Sequence, residues 1–518
     1  MPQPVLGFAD VHAHVSATSF LGGAHHGLPF HRFGVLGALG DCTLSHGPGG
    51  IKDIVGNFRG ENPVPLHDNR GWPEFVDWPA AQSLTHEGMY YKWMERAWRA
   101  GQRLMVNNLV ENETLCAVQR IASGRPLQSC NEMDSAMAQA QLMRDLEAYI
   151  DAQEGGPGRG WFRLVESPAE ARQVIHDGKM AVVLGIEISH LFNCDLQNGV
   201  AGCDEADIDE QLDRLHAAGV RQMFPVHEFD NALGGNGIFD SFALNLGNKV
   251  DTGEFWQTYD CPEQDYFYDA GAVLLSVAPP GAGDDPLTAT LMALAGGHLP
   301  LYPQGREQCN ARGLTTLGRY AIQKMMEKRM IIEVDHLELS NKAEVIAIAE
   351  QQTPAYPLVS THGGHGGLTV DQARRIMALG GLIYPYKGNG REFKETLDRL
   401  TAIKSDAYFF GMGYGADTNG LGAQAGPRGA GATPVSYPFT LFQGPGWGPQ
   451  FAGIAPVTFD RQVSGERVYD TDVDGMAHYG LVADWVEEVR LEGGEAALTA
   501  LYNSAEAYLQ MWERTLDR

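Results

Sequence analysis

The chain has 518 residues, 44% of them hydrophobic, with a formal net charge of −27. That size allows a large buried core, in anything from two domains to one barrel with insertions, and the acidic balance argues against nucleic acid or an anionic membrane as partner. No apolar run approaches the ~18 residues of a membrane span, and the N-terminus reaches Asp10 with no basic-then-apolar leader, so the expectation is a globular protein, cytoplasmic by default and secreted or periplasmic if a leader has been trimmed. The acidic surface suits a protein that gathers cations, and equally an ordinary soluble enzyme.

The first element is a short apolar run, Val5 to Ala9, leading into Asp10-Val11-His12-Ala13-His14. In a strand alternate side chains share a face, so His12 and His14 point the same way and make a two-imidazole clamp for a divalent cation, with Asp10 on that face able to hydrogen-bond behind it. Val15 to Gln82 lacks sustained periodicity and is rich in Gly, Pro, Trp and His (His25, His26, His31, His46, His67). A loop this long reads as a lid or insertion over the mouth of a site; for all but one of its histidines ordinary loop polarity is the preferred reading. Seven cysteines (Cys42, Cys116, Cys130, Cys194, Cys203, Cys261, Cys309) lack Cys-x-x-Cys spacing, which argues against a thiolate zinc site; their odd number leaves disulfides open, with Cys194 and Cys203 the first pair to examine.

Order resumes with a helix over Thr85 to Gly101, a buried strand from Arg103 to Val110 and a helix over about Ser135 to Ala152. A helix over Pro168 to Asp177 then feeds the strand Met180 to Ile186, which ends on Glu187. The phrase repeats: helix Glu205 to Ala218 and strand Val220 to Val226, ending on His227; after a second insertion from about 232 to 312, helix Gly313 to Lys328 and strand Met330 to Val334, ending on Asp335 and His336; helix Asn341 to Gln351 and strand Pro357 to Thr361, ending on His362. A helix from Thr369 leads to a strand at Gly381 to Tyr386, and one from Arg391 to a strand at Phe409 to Ala416, ending on Asp417. Eight apolar strands separated by helices predict a parallel sheet closed as an α/β (β/α)8 TIM-type barrel with long insertions and a decorated C-terminal region. The expected organisation is a barrel over 1–424, interrupted at about 15–82 and 232–312, with 425–518 an irregular segment and two helices, about Met476 to Leu491 and Gly494 to Trp512, packing on it.

His12 with His14, Glu187, His227, His336, His362 and Asp417 each stand at or just beyond the C-terminal end of a predicted strand, and in a barrel those ends converge on one mouth. Each alone reads as a cap or a satisfied core polar group; six strand ends carrying metal-ligand or acid/base types make coincidence the poorer account. One carboxylate among four imidazoles bridges two cations by giving an oxygen to each, and Glu187 is the natural bridge. The expectation is two divalent cations, zinc foremost, held by His12, His14, Glu187, His336 and His362 and lowering the pKa of a shared water to give a hydroxide nucleophile. Asp417 would move the proton and His227 would donate to the developing oxyanion.

At these residues the chain resembles the amidohydrolase superfamily, which opens its barrel with His-x-His and closes it with Asp, and within it the membrane (renal) dipeptidase family. The resemblance rests on Gly185-Ile186-Glu187, Gly219-Val220-Arg221 with His227 and Asn231, Gly313-Leu-Thr-Thr-Leu-Gly318, Asp335-His336, Ser360-Thr361-His362 and Gly413-Tyr-Gly-Ala-Asp417-Thr-Asn-Gly420. It implies a binuclear metal-dependent hydrolase of amide or peptide-like bonds acting on a small-molecule or peptide-like substrate; a homo-oligomer is compatible with it. The chain departs from the family where His14 replaces an Asp, where Ile188 follows the bridging Glu in place of Gly, and where Gly363-Gly-His365-Gly-Gly replaces the Arg-Asn pair that grips a dipeptide's carboxylate. A lactonase or esterase using the same site is the first alternative, and an inactive barrel serving as a binding module the second. A mononuclear deaminase fits less well, because Glu187 ends the third predicted strand and no His-Ala-Glu occurs.

Overall fold

The computed structural model describes residues 3–59, 66–123, 128–240 and 242–517. Long parallel ladders build one side of the molecule: β1 (Phe8–Ala13) pairs β2 (Gln102–Glu111), β2 pairs β3 (Met180–Ile188), β3 pairs β4 (Val220–Met223), and β4 pairs β5 (Ile331–Ile332). β1 and β3 are buried along their whole length and β2 at all but one residue, the pattern of a parallel sheet covered by helices. A short strand, Phe162–Leu164, joins the start of β3 and has no counterpart among the predicted elements.

Past β5 the pairing thins. β6 (Val359–Ser360) forms a two-residue ladder with β7 (Leu382–Ile383), and single parallel bridges, Glu333–Val359, Tyr386–Gly415 and Asp10–Tyr414, carry the pairing onward. Val334 N–H donates to Val359 O, Gly415 N–H to Pro385 O and Val11 N–H to Tyr414 O, each at 2.9 Å. The architecture is thus mixed α/β around a curled parallel sheet. The strand predicted over Phe409 to Ala416 has no ladder, only the bridges at Tyr414 and Gly415. Its glycines explain this: a Cβ on Gly413 would lie 2.4 Å from Ala9 O and one on Gly415 2.2 Å from Thr361 O, so backbone meets backbone there instead of pairing regularly.

Helices follow the strands much as the periodicity predicts, and side-chain caps fix their starts. Ser167 caps Pro168–His176, Asp204 closes a capping box on Glu205–Ala217, and Thr315, Thr369 and Asn389 cap Thr316–Glu327, Val370–Ala378 and Gly390–Thr401. The helix Glu113–Ser123 is an addition to the predicted set, and Tyr91–Arg99 starts later than predicted because Glu87 and Gly88 bond to Asn419 instead.

The two insertions meet above the sheet's C-terminal edge. Phe20, Leu21, Ile54 and Val55 of the first pack with Leu246, Leu287 and Leu291 of the second in one apolar cluster. Disulfides join Cys116 to Cys130, Cys194 to Cys203 and Cys261 to Cys309, while Cys42 is free and buried. At the opposite end, helices Val482–Tyr502 and Ser504–Leu516 close the sheet: Ser504 Oγ accepts Ala9 N–H at 2.8 Å, Tyr384 OH donates to Ser504 O at 3.0 Å and Tyr508 OH to Gln222 at 2.8 Å. Among the described residues no helix is long and apolar enough to cross a membrane.

Candidate metal centre

Alternation along β1 puts His12 inside the strand and His14 just past it, on one face, with their Nε2 atoms 3.2 Å apart. Glu187, near the end of β3, splits its carboxylate between two imidazole groups. Oε2 lies 3.0 Å from His12 Nε2 and 3.3 Å from His14 Nε2. Oε1 lies 3.2 Å from His336 Nε2 and 3.7 Å from both His362 Nε2 and His227 Nε2. Asp417 Oδ1 stands 3.0 Å from His14 Nε2 and 3.7 Å from His12 Nε2. All seven residues chosen from the sequence therefore meet at one place.

Whether a cation fits there is decided by where the lone pairs point. His14 Nδ1 faces Asn108 O at 2.9 Å and His362 Nδ1 lies 3.1 Å from Asp335 Oδ2, so in both rings the N–H belongs on Nδ1 and the Nε2 lone pair turns inward. His336 and His362 then set ring nitrogen against ring nitrogen at 3.0 Å, while the buried Glu187 Oε1 accepts no hydrogen bond. Inward lone pairs around orphaned carboxylate oxygen form a donor set for divalent cations. The electrostatics agree. Burial holds His227 and His362 down at about 4 and His336 well below its ordinary value, which favours the neutral ring that a metal ligand requires. Burial would depress His14 too, but the Asp417 and Glu187 carboxylates outweigh it and push the ring up to about 10, the mark of a pocket that calls for positive charge.

The support around these side chains is only partly what the sequence suggests. Asp10 does not brace an imidazole: Oδ1 accepts the N–H groups of His12 and Ala416 at 3.1 Å each, and Oδ2 accepts Tyr479 OH at 2.7 Å, so it ties β1 to the segment carrying Asp417. His336 and Asp417 adopt left-handed backbone, φ 66° and 48°, unusual for such residues. Bonds from His336 N–H to His365 O at 2.8 Å and from Asp417 N–H to His12 O at 2.8 Å hold them there.

His365 is a site residue that sequence reasoning passes over as an interruption. Its ring stacks on His336 and His362, with centroids 5.1 and 4.5 Å away, and Nδ1 lies 3.0 Å from His362 O. The signal was present in His362-Gly363-Gly364-His365: both glycines have positive φ and turn the second histidine back over the first. Other groups support the cluster: Asn108 Nδ2 and Thr361 Oγ1 lie 3.1 and 3.3 Å from His12 Nδ1, and Asn419 Nδ2 donates to His14 O at 3.3 Å. The cavity above the cluster, about 310 Å³, has apolar walls that include Phe20, Val55, Phe239, Leu287 and Leu291. Among the described residues lining it there is no Lys or Arg.

No family model matches the chain, and no curated protein matches it. Solved structures with similarity to it include a metallopeptidase described as dipeptidase AC, 14% identical, with 82% of this chain and 88% of that one covered at a TM-score of 0.43. An amidohydrolase from Pseudomonas aeruginosa is 12% identical, with 82% and 93% covered at a TM-score of 0.42. A metallopeptidase from Rhodobacter sphaeroides, liganded with a phosphinate mimic of the dipeptide L-Ala-D-Ala, is 14% identical, with 82% and 89% covered at a TM-score of 0.43.

Proposed function

We propose that this chain is a binuclear metal-dependent hydrolase of amide or peptide-like bonds. The observation that carries the reading is the divided carboxylate of Glu187, with Oε2 toward His12 and His14 and Oε1 toward His336 and His362. His12, His14 and Glu187 would hold one divalent cation and Glu187, His336 and His362 the other, zinc being favoured by imidazole and carboxylate ligands. When bound, such a pair lowers the pKa of water and neutralises charge building on a carbonyl oxygen. We read the scaffold as a (β/α)8 barrel closed by the three single bridges, with residues 1–424 as the catalytic unit and 425–518 as its lower support.

Asp417 is the group that moves the proton: it stands beside His12 and His14, and it would take a proton from the attacking water and deliver it to the leaving group. His227, neutral and with an unpartnered Nδ1, would donate a hydrogen bond to the substrate's carbonyl oxygen. The insertions exclude water and offer an apolar wall. Among the described residues lining the cavity there is no Lys or Arg to grip a free carboxylate, and its apolar walls favour acyl groups with apolar substituents. The same observation favours a second reading, a lactonase or esterase at this site.

The test is a metal assay on the purified protein together with wild type and Asp417→Asn on dipeptides, N-acyl amino acids, esters and lactones. Asp417→Asn is expected to keep the barrel-mouth metals and lose about 10²- to 10⁴-fold in kcat. Fewer than one barrel-mouth metal per chain, or a variant as active as wild type, sinks the proposal; the panel separates amide from ester specificity.

A further inference from the structure

Within the first insertion and the segment that follows it, a second set of ligand-type side chains converges, sharing no residue with the set described above. Cys42 Sγ, His46, His67 and His86 each offer a ligand atom, and all of these atoms lie within 4.8 Å of one another. They come from three separate stretches: a short helix with its preceding residue supplies Cys42 and His46, and two later loops supply His67 and His86. We infer that these four residues form a mononuclear transition-metal site suited to zinc, distinct from the barrel-mouth centre and independent of its function.

The orientation of each group supports this. His46 Nε2 donates to Ala24 O at 2.9 Å, which fixes the N–H on that nitrogen and leaves the Nδ1 lone pair toward the cluster, 3.4 Å from His67 Nε2. His67 Nε2 is also 3.3 Å from Cys42 Sγ. The sulfur accepts the Asn69 amide N–H at 3.0 Å, as a thiolate ligand does. His86 is the most telling member: its ring is buried against Trp78, centroids 4.8 Å apart, and neither ring nitrogen has a hydrogen-bond partner. A buried imidazole with both nitrogens unsatisfied needs an explanation, and a cation would satisfy the one that converges with the other ligand atoms. Asp53 stands beside the set, Oδ2 lying 3.5 Å from His46 Nδ1 and accepting the Thr85 hydroxyl at 2.5 Å. One thiolate and three imidazoles give a four-coordinate set of mixed sulfur and nitrogen donors, which selects zinc, cobalt or copper over magnesium or calcium.

The site has a mechanical consequence. The insertion has only short helices among its described residues, so a cation joining two of its stretches to the segment that follows it acts as a cross-link where little core exists. Glu87, next to His86, accepts Asn419 Nδ2 at 2.9 Å, and Asn419 also accepts Gly88 N–H at 2.9 Å and lies 3.3 Å from His14 O. The cross-link is therefore one residue from the contact that ties the insertion to the barrel mouth.

Cobalt(II) added to the metal-depleted full-length protein tests this, because only a thiolate ligand gives a near-ultraviolet sulfur-to-cobalt charge-transfer band. The expected result is that band in wild type, its loss with one fewer metal per chain in Cys42→Ser, at least tenfold weaker binding in His86→Ala, and its retention in His14→Ala, which alters only the barrel-mouth set. Zinc should also slow alkylation of Cys42 in the native wild-type protein at least tenfold, a readout that needs no variant to fold. Absence of the band in wild type, its persistence in Cys42→Ser, or alkylation indifferent to zinc would overturn the inference whatever the enzyme's activity.

Discussion

Asp335 shows how much of this centre depends on residues that touch no substrate. Its carboxylate accepts Ser360 Oγ at 2.6 Å and the N–H groups of His362 and Gly364 at 3.0 and 3.2 Å, and it sits 3.1 Å behind His362 Nδ1. Burial opposes its ionisation, yet the bonds to His362 and Ser360 and the nearby Lys342 ammonium hold it well below the usual carboxylate range. Asp335→Asn is expected to weaken metal binding at the Glu187 cluster about 10- to 100-fold, read by chelator competition, with the far-ultraviolet spectrum unchanged; equal affinity would show that Asp335 merely fills space. The residues proposed as ligands were legible in the sequence because each follows an apolar strand, so one-dimensional position encodes three-dimensional convergence. Cys42, His46, His67 and His86 were not: no periodic element fixes where an irregular segment puts the first three, and His86 lies in a stretch read as the start of a helix; the preference for loop polarity at His46 and His67 is at odds with their convergence.

At the scale of elements, the helix Val482–Tyr502 carries a break that the sequence marks with Gly493-Gly494. Gly494 has φ 59° and ψ −151°, a conformation that essentially only glycine adopts, and nothing lies within 4 Å of a Cβ added there. Gly494→Ala should therefore cost about 1–3 kcal/mol through backbone strain alone, measured as a shift in the chemical denaturation midpoint with unchanged slope; a neutral result would mean that the helix straightens without penalty. The β/α alternation was readable for the same reason as the ligands, because apolar runs and capping residues are local signals. Strand extent was not. Val220 to Val226 was expected as a strand and pairs only over Val220–Met223, and the last predicted strand is reduced to bridges, because pairing depends on how closely distant backbones approach.

For the whole molecule, three disulfides leave Cys42 as the single free thiol. Disulfides of this kind form and persist under oxidising conditions. Unreduced protein in denaturant should titrate about one thiol per chain, and finding seven would refute the pairing. Cys261–Cys309 closes the longest loop, 48 residues in sequence, so replacing both cysteines with serine should cost about 2–4 kcal/mol, read from thermal melting. The uneven sheet carries a further consequence for how the protein breathes. β2 and β3 are in register over eight residue pairs, whereas β6 and β7 share two and the neighbouring joins are single bridges. His12, His14 and Glu187 thus stand on the stiff half of the wall, and His336, His362 and Asp417 on the half whose amide protons should exchange with solvent soonest. A hydrogen-exchange map of the metal-free protein would reveal that division, and the cation on the yielding half should be the first to leave.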